Sequence, residues 1–179
     1  LTPDNLSQNG PARIATLSAD AGTRNFTLGQ QRDDYQTRLR TTTTGTNGVG
    51  KTVTSNGAEV ETKLSHVVYS RDANGLAQIY VDNELVGSNT IDGDFSTWNA
   101  NYLFALGNEL DGSRPWTGSY DLVAIYNQAF DASEVEQNYL AGVLDDGSPA
   151  PTNTLPVAAD DSGTVEENSQ ITLNVLAND

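Results

Sequence analysis

Apolar and polar residues alternate in short runs at 13–18, 25–30, 35–40, 66–71, 77–81, 84–88, 102–106 and 119–126. A period of two belongs to a strand with one buried face. Many short runs in close succession predict an all-β fold, an antiparallel β-sandwich of the jelly-roll type. Asp82 and Asn83 lie between 77–81 and 84–88. They are the non-glycine types that best tolerate positive φ, so those two runs are predicted to pair as a tight hairpin. The pattern changes once, at 131–140, where the spacing predicts one short helix. Asp131 is its cap, Glu134 stands three residues on as in a capping box, and Gly142 is the expected stop. Val135, Tyr139 and Leu140 would form an apolar stripe lying on the sandwich.

Composition narrows the function classes. The 179 residues carry 24 acidic and 9 basic side chains, a net charge of −15, and no cysteine. That excludes a disulfide scaffold and a basic nucleic-acid binder. No apolar run approaches the roughly 20 residues that span a bilayer, so no membrane insertion is expected. An anionic surface repels phosphate and leaves neutral glycans, proteins and divalent cations as partners.

All nine basic residues lie at or before Arg114, whereas 145–179 holds seven acids and no base. The sequence therefore divides into a domain at 1–143, a linker at 144–156 and a further piece at 157–179. Pro149, Pro151 and Pro156 among acids and turn formers make the linker a semi-extended spacer. Residues 163–167 and 170–175 read as the first strands of another β-domain, too short to bury a core alone. Leu1 is not an initiator Met, and Asp179 follows directly on a strand pattern. The chain reads as a segment of a longer protein.

Several phrases taken in order carry a resemblance. They are Arg24-Asn25-Phe26-Thr27-Leu28-Gly29-Gln30, Arg38-Leu39-Arg40-Thr41-Thr42, His66-Val67-Val68-Tyr69-Ser70-Arg71, Ile79-Tyr80-Val81-Asp82, and Gly107-Asn108-Glu109 followed by Arg114-Pro115-Trp116-Thr117-Gly118. With the closing Leu122-Val123-Ala124-Ile125-Tyr126-Asn127-Gln128-Ala129-Phe130, they resemble the laminin G-like, concanavalin A-like jelly-roll family of extracellular multidomain proteins. The resemblance implies that 122–130 holds the last strand and that early strands before Gly10 are missing. The tail, with Asp160-Asp161, Thr164-Val165-Glu166-Glu167 and Val175-Leu176-Ala177-Asn178-Asp179, is similar to the opening of bacterial cadherin-like, immunoglobulin-like repeats. That implies a secreted or cell-surface location and neighbouring repeats of the same polypeptide as partners.

Candidate chemistry follows from oxygen and aromatic groups. Calcium takes six to eight oxygen ligands, and Asp160, Asp161, Glu166, Asn178 and Asp179 in the tail offer such atoms. So do Asp92, Asp94, Asn108 and Glu109 in loops, where the laminin G-like resemblance implies a rim calcium; Asx turns need no metal. Glu109 and Asp111 have the parity of a same-face acid pair and resemble the start of the laminarinase-type acid pair. The Gly112-Ser113-Arg114-Pro115 break and the lack of a third acid weigh against hydrolysis. One histidine, His66, supports neither a zinc site nor a triad. Trp98, Asp111, Arg114 and Trp116 are the candidate ligand-binding residues, since Trp offers a sugar-stacking face and Arg fixed donors. A structural alternative pairs Arg114 with Glu109 and buries Trp116.

The expected function is a noncatalytic binding or adhesion module that recognises a glycan or extracellular protein through rim loops. A spacer or accessory domain beside an enzyme is the alternative, and a polysaccharide hydrolase a third.

Overall fold

Alternation along the strands sorts side chains into one shared interior. In the strand Asp34–Leu39, Tyr35, Thr37 and Leu39 are buried while the residues between them are partly exposed. Those inward side chains meet Ala77, Ile79 and Val81 of the strand Leu76–Val81, which faces them from a second sheet. Val53, Val60, Ile91, Ala12, Ile14 and Trp116 complete this layer. Each fully buried Ile contributes roughly 1.5–3 kcal/mol by leaving water.

The computed structural model describes residues 1–143. The expectations for 144–156 and 157–179, with Asp160, Asp161, Glu166, Asn178 and Asp179, lie outside the described residues. The elements are β1 (Thr2–Pro3), β2 (Ala12–Asp20), β3 (Thr23–Gln31), β4 (Asp34–Leu39), β5 (Thr52–Thr54), β6 (Val67–Arg71), β7 (Leu76–Val81), β8 (Glu84–Thr90), β9 (Leu103–Leu106), β10 (Gly118–Ser119) and α1 (Ala132–Val143). They make a five-stranded sheet in the order β5-β4-β3-β2-β9, a three-stranded sheet β6-β7-β8 and a pair β1-β10. All pairings are antiparallel. This is the β-sandwich of jelly-roll type that the alternation predicts.

The hairpin turn forms as expected: Val81 pairs with Glu84, and Asp82 and Asn83 hold φ values of 48° and 73°. The helix cap also forms. Asp131 Oδ1 accepts from the backbone N–H groups of Ser133 (2.9 Å) and Glu134 (3.0 Å), and Asp131 N–H donates to Glu134 Oε2 at 2.9 Å. Val135 is fully buried, but Leu140 is half exposed, so the stripe is narrower than predicted. The helix also continues through Gly142 to Val143. Gly142 has open space around it and no positive φ, so nothing there forces the left-handed turn that ends helices.

One predicted strand is missing. The run 119–126 and the closing segment 122–130 pair only through Gly118–Ser119. Leu122 and Ile125 are 80% and 77% exposed. These residues have strand composition, but among the described residues no neighbouring strand supplies a ladder.

Candidate functional site

The rim between β4 and β5 and that between β8 and β9 are locked together. Thr41 Oγ1 and Thr43 Oγ1 donate to the Asp92 carbonyl at 2.7 and 2.8 Å. Thr42 N–H donates to Asp94 O at 3.0 Å, and Asp94 N–H donates back to Thr42 Oγ1 at 3.2 Å. Lys51 Nζ bonds Asp92 Oδ2 at 2.7 Å, which holds the Asp92 carboxyl below the usual carboxylate range. Gly93 sits between the two loops with φ of 86°, and a Cβ there would approach Thr42 Oγ1 to 2.5 Å. Only glycine suits that contact.

On this rim Phe95 stands 43% exposed. Its ring packs on Trp98, centroid to centroid 4.7 Å, and the Arg71 guanidinium carbon lies 5.1 Å from its centre. Both supports are themselves fixed. Trp98 Nε1–H donates to the Arg40 carbonyl at 2.7 Å, and Arg71 Nη2 donates to Ile91 O (2.7 Å) and Gly93 O (2.6 Å). The site is a preorganised aromatic face flanked by the exposed side chains of Thr42, Thr43, Asp92, Asp94, Ser96 and Thr97. Such a surface can stack a sugar ring and meet its hydroxyls.

The predicted ligand residues divide. Trp98 belongs to this rim, as the support beneath Phe95 instead of the exposed face. Trp116 is buried: its Nε1–H donates to Gln30 Oε1 at 2.9 Å and its ring lies 5.0 Å from Tyr120. It is a core residue, as the structural alternative held. Asp111 and Arg114 are exposed on the loop 107–114. Asp111 Oδ1 accepts from Ser113 N–H at 2.9 Å, and the bonded Ser113 holds its carboxyl below the ordinary value. Arg114 takes φ of 56° and donates to the Gly10 carbonyl.

Glu109 departs most from expectation. It pairs not with Arg114 but with Arg13, and neither side chain meets solvent. Ser18 Oγ donates to its other oxygen at 2.5 Å. Both oxygens are engaged inside the protein, so Glu109 neither reaches a glycosidic bond nor serves a cation at the rim. The pairing with Asp111 as catalytic acids fails for the same reason: one is buried and the other lies at a loop tip.

Calcium fits the loop oxygens poorly. Asp92 is bound to Lys51, Asp94 Oδ1 accepts from Ser96 N–H (2.9 Å) and Oγ (2.6 Å), Asn108 is exposed, and Glu109 is consumed. Among the described residues no three acidic or imidazole side chains converge. The sequence did not point to Phe95 or Arg71. The available signal was the Phe95–Trp98 spacing of three across a turn, which stacks the rings once Trp98 N–H bonds Phe95 O at 2.9 Å.

No curated protein matches the chain. Among solved structures it is similar to an S-layer domain-containing protein (residues 221–444) from Clostridium thermocellum ATCC 27405, with 17% identity and a TM-score of 0.35. That match covers 78% of this chain and 66% of the other, just under two thirds of its length. A laminin G-type family model, described as the concanavalin A-like lectin/glucanases superfamily, matches residues 1–136. Matched over most of its length, the chain belongs to the concanavalin A-like lectin/glucanases superfamily.

Proposed function

We propose that the protein is a noncatalytic recognition module of a secreted or cell-surface protein, and that its rim binds a neutral glycan. The observation that carries this reading is the exposed Phe95 ring held between Trp98 and Arg71. A platform that spends no freedom on binding loses less to ordering than a mobile loop does. The hydroxyls and carboxylates around it supply acceptors and donors for sugar hydroxyls, and the net charge of −15 disfavours acidic ligands. The resemblance of the tail to cadherin-like repeats supports the extracellular setting. Among the described residues no helix is long and apolar enough to cross a membrane.

A glycan array probed with the full chain tests the proposal. Neutral oligosaccharides should bind, and Phe95→Ala should abolish the signal at an unchanged melting temperature. No glycan bound, or equal binding by the variant, would favour the spacer reading. Hydrolysis is disfavoured by the burial of Glu109 against Arg13. Release of reducing ends from β-glucans, lost in Asp111→Asn, would reverse that conclusion.

A further inference from the structure

Asparagine is followed by glycine at four places, Asn9-Gly10, Asn47-Gly48, Asn56-Gly57 and Asn74-Gly75. Such a pair is chemically vulnerable, because glycine has no side chain to keep its nitrogen away from the asparagine amide carbon. Reaction still requires that nitrogen to be free to turn and to lose its proton. In three of the pairs it is held. Gly10 N–H donates to Gln31 Oε1 at 3.1 Å, Gly48 N–H to Gly45 O at 3.3 Å, and Gly75 N–H to Asp72 O at 3.1 Å. The N–H of Gly57 has no partner among the described residues.

The surroundings of Asn56-Gly57 meet two further conditions. The segment is anchored at both ends: Ser55 N–H donates to Tyr35 O at 2.9 Å, Asn56 N–H to Val86 O at 3.0 Å, and Val60 N–H to Asp33 O at 2.9 Å. Between these anchors Asn56, Gly57 and Ala58 are exposed, so the Asn56–Gly57 peptide can turn without disturbing either sheet. The Asn56 side chain is retained only by a 3.4 Å bond from Nδ2 to Thr54 O. Glu59 meets the second condition. Its Oε1 lies against Gly57, so near that a Cβ placed there would approach it to 2.8 Å. A carboxylate in that place can take the proton of the Gly57 nitrogen.

We propose that Asn56 is a self-modification site, at which the Gly57 nitrogen attacks the Asn56 side-chain carbon with Glu59 as the base. The bond from Gly57 N to Asn56 Cγ forms and the Cγ–Nδ2 bond breaks. Nδ2 leaves as ammonia, carrying the proton that Glu59 took from Gly57. Water then opens the ring imide at one carbonyl or the other and gives aspartate or isoaspartate. Either product adds a negative charge, and isoaspartate also lengthens the main chain by a carbon. That insertion falls beside the bond from Asn56 N–H to Val86 O, which joins the two sheets, so the converted protein should melt at a lower temperature.

The test incubates the full chain in neutral buffer and follows all four asparagines by peptide mapping with mass spectrometry. In the folded protein Asn56 should convert roughly tenfold faster than Asn9, Asn47 or Asn74, and in guanidinium chloride the four rates should converge. Asn56→Gln, which would have to close a larger ring, should stop both the conversion and the fall in melting temperature on storage. Glu59→Gln should slow Asn56 severalfold and leave the other three unchanged. Between about pH 6 and 8 the rate at Asn56 should also rise less steeply in the parent chain than in Glu59→Gln, because an ionised carboxylate acts as base independently of hydroxide. Folded-state conversion at Asn56 no faster than at the other three would overturn the proposal. An unchanged rate and pH profile in Glu59→Gln would overturn the assignment of the base.

Discussion

Arg13 and Glu109 are joined, across 96 residues of sequence, by an ion pair from which water is excluded. Arg13 also donates to Pro11 O at 2.7 Å, so the pair fastens the loop 107–114 to β2. Removing one partner leaves the other charge buried. Glu109→Ala should therefore cost about 3–5 kcal/mol of unfolding free energy by urea denaturation. The double variant Arg13→Met, Glu109→Leu should recover much of that loss. A single-variant cost below about 1 kcal/mol would show the pair to be hydrated.

Gly93 holds the rim loops at their closest approach. Gly93→Ala should destabilise by roughly 1–3 kcal/mol, since the backbone is left-handed and the new methyl meets Thr42. Glycan affinity, read by titration calorimetry, should fall with it because Arg71 loses its hold on the Gly93 carbonyl.

His66 should make stability pH-dependent. Burial lowers its pKa, more than the opposing field of Asp82 raises it, and the nearby amino terminus lowers it further. The folded state thus binds its proton less readily than the unfolded chain. Stability is full above the ordinary histidine value of about 6.5 and declines as pH falls through it toward the lower folded value. His66→Phe, which keeps the packing near Tyr139, should flatten the melting-temperature profile between pH 7 and 5.

Asp131 works in the opposite pH range. Its bonds to the Glu134 and Ser133 amides and hydroxyl hold its pKa below the ordinary carboxylate value. The stabilisation is present above about pH 4 and is lost as pH falls through the folded value. Asp131→Ala should lower the melting temperature at pH 7, with the difference closing in acid. A difference that persists at pH 2 would mean that the cap does not act through its charge.

Local patterns were legible wherever their causes were local. Period-two alternation located the strands from β2 to β9 apart from the three-residue β5, whose Thr-Val-Thr is too short to show a period. Asp82-Asn83 and Asp131–Glu134 carried their turn and cap in their own side chains. The site was less legible because its determinants are distant in sequence. Glu109 looked available since its partner Arg13 is 96 residues away. Trp116 read as either a sugar-stacking face or a buried ring, and the acceptor that decides for burial, Gln30, is 86 residues distant. The strand expected over 119–126 does not form beyond Ser119, because a ladder needs a neighbour and periodicity does not reveal one.

The two sheets meet closely along one long side. Asn56 N–H donates to Val86 O at 3.0 Å, Asn89 Nδ2 donates to Thr52 O at 2.9 Å, and Gly87 lies so near Thr54 that no Cβ fits between them. At the opposite side, where β6 and β9 end their sheets, no hydrogen bond joins these two strands among the described residues. The sandwich is thus bound like a book, with a spine at β5 and β8 and a loose fore-edge. Tension across the fore-edge is resisted by side-chain packing, whereas tension across the spine must also break its hydrogen bonds.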